Sequence, residues 1–303
     1  NYPWDAHRGA GDSCIISPDD PVFYAYSKGY AALNADLLAG GFTDGITLGC
    51  DWYELVGGMQ DWSYNWYGEH HLTLEISDTK APAYTSMSTY WSHNRDAMIW
   101  WFQRALMGAR GLVTDANTGA PLAATINLVG KDGLPVYTDP QVGDYHRLLL
   151  AGSHTLQASA ACYLPQSASV SVGSSAASVQ NFALQPAPIR SVSGVVTAAA
   201  SGLPLPGAQV ELVEMALVAT ATLDGSYSLD ACQGTYTLRA SAPGYQTVER
   251  SILLDQALIE NFALPPLPPV LLVDDDDNES YQTYYQNALT AAGYSYDMRT
   301  VSS

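Results

Sequence analysis

The chain is poor in basic residues. It carries 12 Lys and Arg side chains against 30 Asp and Glu, a formal net charge of −18 at pH 7. Nucleic acids and anionic membrane surfaces would repel such a protein, so we expect neither as a partner. Only 14% of the 303 residues are charged and 47% are hydrophobic, which provides material for packed cores and argues against disorder. The length predicts about two domains.

Long apolar runs and an initiator methionine are also absent. No apolar run approaches the roughly 20 residues of a membrane-spanning helix, so we expect no membrane span. The chain begins at Asn1 without a charged-then-apolar signal segment, which indicates a processed product or, more strongly, a fragment. The composition suits a soluble, exported protein.

The most informative stretch is residues 51–82, DWYELVGGMQDWSYNWYGEHHLTLEISDTKAP. Within it, Leu, Leu and Ile alternate with Thr, Glu and Ser, which predicts a strand over residues 72–77 with one apolar and one polar face. Glu75 is the carboxylate of that polar face. Alternation alone leaves two interpretations open, a solvated strand face or a catalytic carboxylate.

The words DWYxxxGGMQDWSYNW and LTLEISDTKAP, in this order and at this spacing, resemble the zinc carboxypeptidases of the M14 family. The resemblance is to the regulatory branch, the carboxypeptidase D, E, N and M type, in which a transthyretin-like β-sandwich follows the peptidase domain. NYPWD, SPDDPVFYAYSKGYAALN and FTDGITLGCDWY extend it along the segment that ends near residue 107. It implies an α/β zinc-carboxypeptidase fold and a hydrolase that trims peptide or protein C-termini.

The resemblance assigns roles to four residues. Glu75 matches the catalytic glutamate, a general base that takes a proton from a zinc-bound water and passes it to the leaving amine. Tyr53 matches the tyrosine that swings over the bound peptide and hydrogen-bonds its terminal carboxylate. Asp5 and Gln60 match the positions facing the substrate's C-terminal side chain, where they favour Lys or Arg. Without the family, Asp5 would cap a turn and Gln60 would be a loop amide.

The zinc that the resemblance implies has no recognisable ligands in this chain. The family holds zinc with a His-x-x-Glu pair and a later His, and none of the six histidines here begins a His-x-x-Glu. We therefore expect the ligands upstream of Asn1, together with the Arg and Asn that clamp the substrate carboxylate, and an isolated chain that is inactive.

Two local metal candidates are weaker, and we assign no metal ligand within the chain. In Glu69-His70-His71, neighbouring strand residues would point to opposite faces, so the two histidines could not readily grip one ion. The acidic run at residues 274–277 is compatible with a hard-cation site or with a solvated loop.

After residue 108 the composition shifts to Ala, Ser, Thr, Val and Gly, and a repeat becomes visible. GLVTDANTGAPLAATINLV from Gly111 aligns with GVVTAAASGLPLPGAQVELV from Gly194, and both copies close with NFAL. Short alternations broken by turn residues predict antiparallel sandwiches, and both copies resemble the carboxypeptidase regulatory-like, transthyretin-like module. Cys162 stands where the second copy has Gly244, which predicts one altered turn. A folding support or spacer is the expected role.

The end of the chain, from VLLVDDDD, predicts a strand, an acidic turn, an amphipathic helix and a second strand. So short a segment cannot complete a parallel sheet, so we expect an α/β domain cut short. The predicted domains are 1–108, the C-terminal part of the catalytic domain; 109–187 and 188–267, two all-β transthyretin-like sandwiches; and 268–303, the truncated α/β domain.

Cysteines and aromatic residues complete the prediction. Cys14 and Cys50 both lie in the peptidase-like part and are candidates to pair, whereas Cys162 and Cys232 occupy non-equivalent positions of the two copies. The aromatic groups at residues 52–67 and 100–102 are expected to pack in the core, and His146 and His154 to be structural or exposed.

A secreted or cell-envelope location is favoured. The alternative to an enzyme is a non-catalytic surface protein for adhesion or peptide binding; intact Tyr53 and Glu75 favour the enzyme.

Overall fold

The computed structural model describes residues 1–6, 13–130, 134–267, 270–274 and 281–301. The chain separates into two compact units, Asn1–Pro186 and Ala187–Ser303. The first unit contains a helical segment and the first copy of the repeat, and the second unit contains the second copy and the C-terminal segment.

The helical segment spans residues 1–107. Its first long helix begins at the sequence SPDDP, because Pro21 is compatible with a first helical turn and Asp20 complements the positive end of the helix dipole. The helices are α1 Asp20–Ala31, α2 Ala35–Ala39, α3 Gly49–Trp52, α4 Met59–Tyr67 and α5 Met87–Arg104, with 3-10 turns at Thr43–Gly45 and Tyr84–Ser86.

A small core joins the N-terminal residues to these helices. It consists of Tyr2, Trp4, Phe23, Leu48 and Tyr64. The ring of Tyr64 lies 4.9 Å from the rings of both Trp4 and Phe23, measured between centroids. A disulfide joins Cys14 to Cys50, the two cysteines that the sequence offered as candidates to pair.

The predicted burial of the aromatic residues is largely wrong. Of the six in residues 52–67, Tyr64 is fully buried, whereas Trp62 and Trp66 are 53% and 67% exposed. The physical reason is that the short helix α4 buries one face, formed by Gln60, Asp61, Ser63 and Tyr64, so Trp62 and Trp66 lie on the opposite side. Phe102 is likewise exposed, and Trp100 and Trp101 are half-buried.

The predicted strand over residues 72–77 is also not found. Thr73 and Asn1 exchange two backbone hydrogen bonds, with N···O distances of 2.7 Å and 3.1 Å. A strand needs a ladder of such pairs, and this reciprocal pair falls short of one. The apolar face that the alternation predicted is exposed at Leu74 and Ile76.

The first copy of the repeat forms two sheets around one core. One sheet has the order β4-β1-β7, with β8 also paired to β1, and the other has the order β3-β2-β5-β6. Both contribute to the same buried cluster, Val113 and Phe182 from one sheet and Ile126 and Leu156 from the other. The strands are β1 Ala109–Asp115, β2 Ala124–Leu128, β3 Val136–Tyr137, β4 Asp144–Arg147, β5 Gly152–Ala160, β6 Gln166–Val172, β7 Ser178–Val179 and β8 Phe182–Leu184.

The second copy has the same topology. Its sheets have the orders β12-β9-β15, with β16 paired to β9, and β11-β10-β13-β14. A 3-10 turn at Val213–Met215 precedes β11. The strands are β9 Ile189–Ala198, β10 Gln209–Leu212, β11 Leu217–Thr220, β12 Ser226–Cys232, β13 Gly234–Ser241, β14 Val248–Leu254, β15 Leu258–Ile259 and β16 Phe262–Leu264.

Strand register shows that the two copies are equivalent residue by residue. Ala109 lies opposite Arg147 in the first copy, and Val192 lies opposite Leu229 in the second. The expected altered turn at Cys162 is wrong: its φ of 64° and the 83° of Gly244 both lie in the left-handed region. The turn is therefore retained although a residue with a side chain occupies it.

The C-terminal segment has the predicted strand–helix–strand order. It consists of β17 Val270–Asp274, α6 Gln282–Ala291 and β18 Tyr296–Thr300, and the two strands pair in parallel. Residues 275–277 of the acidic run lie outside the described residues. Among the helices in the described part of the chain, none is long and apolar enough to cross a membrane.

Candidate functional site

The structure brings Asp5 and Gln60 into direct contact although 55 residues separate them. Gln60 Nε2 donates to Asp5 Oδ1 at 2.8 Å, and both side chains are 4% exposed. Gln60 Oε1 in turn accepts from Thr73 Oγ1 at 3.0 Å. We call these contacts the Asp5–Gln60 site. It consists of the buried Asp5 carboxylate and the buried Gln60 amide at the N-terminal end of α4.

Backbone pairing places Asp5 at this point. The amide of Cys50 in α3 donates to Trp4 O at 2.9 Å, and the amide of Leu55 donates to Asp5 O at 3.2 Å. Gly49 leaves room for the carboxylate, because a Cβ atom there would lie 1.6 Å from Asp5 Oδ1. The position requires glycine for as long as Asp5 keeps this orientation.

Asp61 is the functional residue that sequence reasoning missed. Its carboxylate accepts from the amide of Asp5 at 2.9 Å and 3.0 Å and from the amide of Ala6 at 2.9 Å. Asp61 therefore holds the backbone that carries Asp5. The available signal was its place directly after Gln60 in GGMQDW, in the first turn of α4, where one short segment supplies contacts to both the side chain and the backbone of Asp5.

Burial and a neighbouring carboxylate disfavour the charged form of Asp5. Burial, followed by the nearby charge of Asp61, raises the pKa of Asp5 to about 6. The ammonium group of Asn1 and the hydrogen bond from Gln60 act in the opposite direction. A cation placed against Asp5 would therefore relieve an unfavourable buried charge.

Glu75 lies on the solvent side of the same region. Its side chain is exposed, and it lines a cavity together with Asn1, Trp52 and Thr73. The charges of Asp5 and Glu75 both act on the Asn1 ammonium group, which places that group in the neighbourhood of both carboxylates. Thr73, which also lines this cavity, donates to Gln60 Oε1, so the cavity beside Glu75 adjoins the Asp5–Gln60 site.

Tyr53 follows α3 directly, in the loop that Leu55 anchors to Asp5. Its ring is 46% exposed and lies 4.8 Å from the ring of Trp52, measured between centroids. A loop position with an exposed side chain is typical of residues that contact a ligand.

The described residues do not fit a zinc ion. They contain no group of three or more His, Cys, Asp and Glu side chains able to hold a metal. His71 Nε2 forms a hydrogen bond with Glu69 Oε2, and the two atoms are 3.1 Å apart. His70 bonds Gly68 O at 3.2 Å and stacks on Phe23, and burial lowers its pKa to about 4.

The two histidines of the first copy are structural. His146 Nε2 bonds Met107 O at 2.5 Å, and His154 Nε2 bonds Leu150 O at 2.9 Å. Each ring is therefore held by a backbone carbonyl, as expected.

Comparison with known families confirms the resemblance drawn from the sequence. Residues 1–97 match the family described as zinc carboxypeptidase. Residues 191–265 match the carboxypeptidase regulatory-like domain. The second match covers the second copy of the repeat.

Curated relatives point to the same family. Carboxypeptidase D of Anas platyrhynchos is 35% identical over 201 residues, covering 61% of this chain and 14% of that protein. The carboxypeptidase N catalytic chain of Homo sapiens is 34% identical over 196 residues, covering 61% of this chain and 42% of that protein. The chain therefore spans less than half the length of either relative.

Solved structures add little. The Streptococcal ancillary pilin is 16% identical, covers 53% of this chain and 62% of that chain, and has a TM-score of 0.33. A likeness of this size carries no argument about fold or function.

Proposed function

Because residues 1–97 belong to the zinc carboxypeptidase family and residues 191–265 are a carboxypeptidase regulatory-like domain, we propose that this chain is part of a secreted metallocarboxypeptidase that releases C-terminal Lys or Arg. The observation that supports this specificity is the contact of buried Asp5 with buried Gln60. The substrates are peptides or proteins with a free C-terminus.

The preference for a basic side chain follows from the cost of a buried carboxylate. Among the described residues, the Asp5 carboxylate accepts a hydrogen bond from the Gln60 amide, and burial raises the pKa of Asp5 to about 6. A guanidinium or ammonium group of the substrate would add a compensating positive charge beside Asp5, whereas an apolar side chain would add none. Gln60 adds selectivity because its amide is already oriented by Thr73.

The proposed chemistry uses Glu75 as general base. Its carboxylate accepts a proton from the attacking water and later delivers that proton to the leaving amine. Tyr53 closes over the substrate and hydrogen-bonds the terminal carboxylate, which excludes water from the reacting bond. No zinc site forms among the described residues, so we propose that the ligands are supplied by a part of the protein preceding Asn1.

We propose the following division of the chain into domains, based on the family matches. Residues 1–108 are the C-terminal part of the catalytic domain, 109–187 and 188–267 are transthyretin-like sandwiches, and 268–303 begin an α/β domain. The disulfide Cys14–Cys50 is compatible with secretion, because such bonds persist in oxidising compartments.

The experiment is an assay of the full-length protein on a blocked peptide that ends in Arg. We expect release of free Arg that a chelator abolishes and that Glu75→Gln reduces by at least roughly a hundredfold. Glu69→Gln is the matched control, since Glu69 is an exposed carboxylate that bonds His71. The isolated 303 residues should release no Arg, even with added zinc.

Two outcomes would contradict the proposal. Full activity of Glu75→Gln would remove the proposed base. A full-length protein that binds the peptide but never cleaves it would favour the non-catalytic alternative.

A further inference from the structure

We propose that Arg147, which lies in the first copy of the repeat, is a positioning residue for the Asp5–Gln60 site in the helical segment. The connection runs from Arg147 through Asp19 and Tyr64 to α4, which carries Gln60 and Asp61. This inference rests on the proposed function for its consequence, but its contacts are independent of any assumption about catalysis.

The first step is a buried ion pair. Arg147 Nη2 lies 2.6 Å from Asp19 Oδ1, and the two side chains are 1% and 4% exposed. Arg147 Nη1 also donates to Leu134 O at 2.5 Å. Two bonds from one planar guanidinium group fix its orientation, so the position of Asp19 is tied to β4.

The second step is a reciprocal pair of hydrogen bonds. Tyr64 Oη donates to Asp19 Oδ2 at 2.8 Å and accepts from the amide of Asp19 at 3.0 Å. The Tyr64 side chain is fully buried, and burial together with the Asp19 charge raises the pKa of its phenol. The phenol therefore stays protonated as the donor, and it links Asp19 to the middle of α4.

The third step follows from helix geometry. Tyr64 lies four residues after Gln60 and three after Asp61, so the three side chains share one face of α4. Gln60 bonds the carboxylate of Asp5, and Asp61 bonds its backbone amide. A rotation or shift of α4 would move both contacts together.

In the second copy of the repeat, the strand position equivalent to Arg147 holds an apolar residue. Leu229 occupies the position equivalent to Arg147 and belongs to the apolar core of its copy. Ser228 stands at the position of His146. The β-strand therefore accepts leucine at this site, which makes Arg147→Leu a substitution that the fold itself has used.

The experiment measures the Asp5 carboxyl by ¹³C NMR titration in the 303-residue chain, with hydrogen exchange of the Asp5 and Ala6 amides alongside. In Arg147→Leu, we expect the Asp5 pKa to fall from about 6 toward its ordinary value, because the site opens to water. Exchange of the two amides should accelerate by roughly a hundredfold or more. His146→Ser, which removes the contact with Met107 O but leaves Arg147 in place, should change neither.

An unchanged Asp5 pKa and unchanged amide exchange in folded Arg147→Leu would overturn the proposal. Equal effects in His146→Ser would also overturn it, because they would indicate general loosening. If Arg147→Leu does not fold, Arg147→Lys keeps the charge without the planar fork and should give a smaller pKa shift in the same direction; no shift would be decisive against the proposal.

The readouts use no hydrolysis, so their failure is distinct from failure of the proposed function. In the full-length enzyme, Arg147→Lys should raise KM for a peptide ending in Arg while leaving kcat unchanged. A parallel fall of kcat would mean that Arg147 acts on more than the specificity site.

Discussion

The two copies of the repeat share a topology, but one equivalent buried strand position holds a charged residue in the first copy and an apolar residue in the second. In the first copy Arg147 extends from β4 to Asp19 in the helical segment, and in the second copy Leu229 fills the core of its own sandwich. Both side chains are buried, at 1% and 9% exposure. Burial alone therefore does not reveal whether a strand residue stabilises its own module or a neighbouring segment.

Two features of the backbone packing are the same in both copies, a glycine against a carbonyl group and a tyrosine that bonds that carbonyl. A Cβ atom at Gly111 would lie 1.9 Å from Gln180 O, and one at Gly194 would lie 1.8 Å from Glu260 O. The Tyr145 hydroxyl donates to Gln180 O at 2.7 Å, and the Tyr227 hydroxyl donates to Glu260 O at 2.6 Å. The sandwich is thus maintained in both copies, and in the first copy Arg147 also pairs with Asp19 of the helical segment.

The largest effect is expected from breaking the ion pair. Arg147→Leu should lower the free energy of unfolding of the first unit by about 3–5 kcal/mol, because Asp19 is left as a buried charge without its cation. Denaturant titration with a probe in each unit would measure it. Combining Arg147→Leu with Asp19→Asn should recover part of the loss, and a double variant that is simply additive would contradict the coupling.

The second copy offers the contrasting test. Leu229→Ala should lower the free energy of unfolding of the second unit by about 2–4 kcal/mol through lost burial and a cavity, with little effect on the first unit. Leu253→Ala is the matched control, since Leu253 is 61% exposed and should cost far less. Equal losses in the two leucine variants would show that Leu229 is not a core residue.

A smaller effect, dependent on pH, is expected at Asp5. Its pKa is raised from 3.8 to about 6, so the stability that its protonated form contributes is present below pH 3.8 and is lost as pH rises through about 6. Asp5→Asn should therefore gain about 2–3 kcal/mol relative to the wild type between pH 4 and pH 7.5. Urea titrations at the two pH values would measure this gain, and a relative loss at pH 7.5 would contradict the buried-charge account.

Some of the site could be predicted from the sequence and some could not. Asp5 and Gln60 were predicted from short sequence motifs that resemble those of a family, and the structure places the two side chains in contact. Arg147 and Asp19 are 128 residues apart and belong to different modules, so no local periodicity connects them. Asp61 was missed because a carboxylate in the first turn of a helix is ordinary by pattern alone.

The fold was predicted unevenly for a related reason. Strand and turn chemistry identified both copies of the repeat, because glycine, proline and alternation act locally. Alternation at residues 72–77 failed to predict the observed structure, since a strand also needs a partner. Trp62 and Trp66 are exposed, which shows that aromatic composition alone does not predict burial. Whether an aromatic side chain is buried depends on which face of the helix carries it.

The most direct test of the account is the ratio of kcat/KM for peptides ending in Arg and in Leu, measured on the full-length protein and on Asp5→Asn. If buried Asp5 reads a cationic side chain, the ratio should fall by roughly thirtyfold or more, with the loss confined to the Arg peptide. An unchanged ratio, or an equal loss for both peptides, would contradict the account.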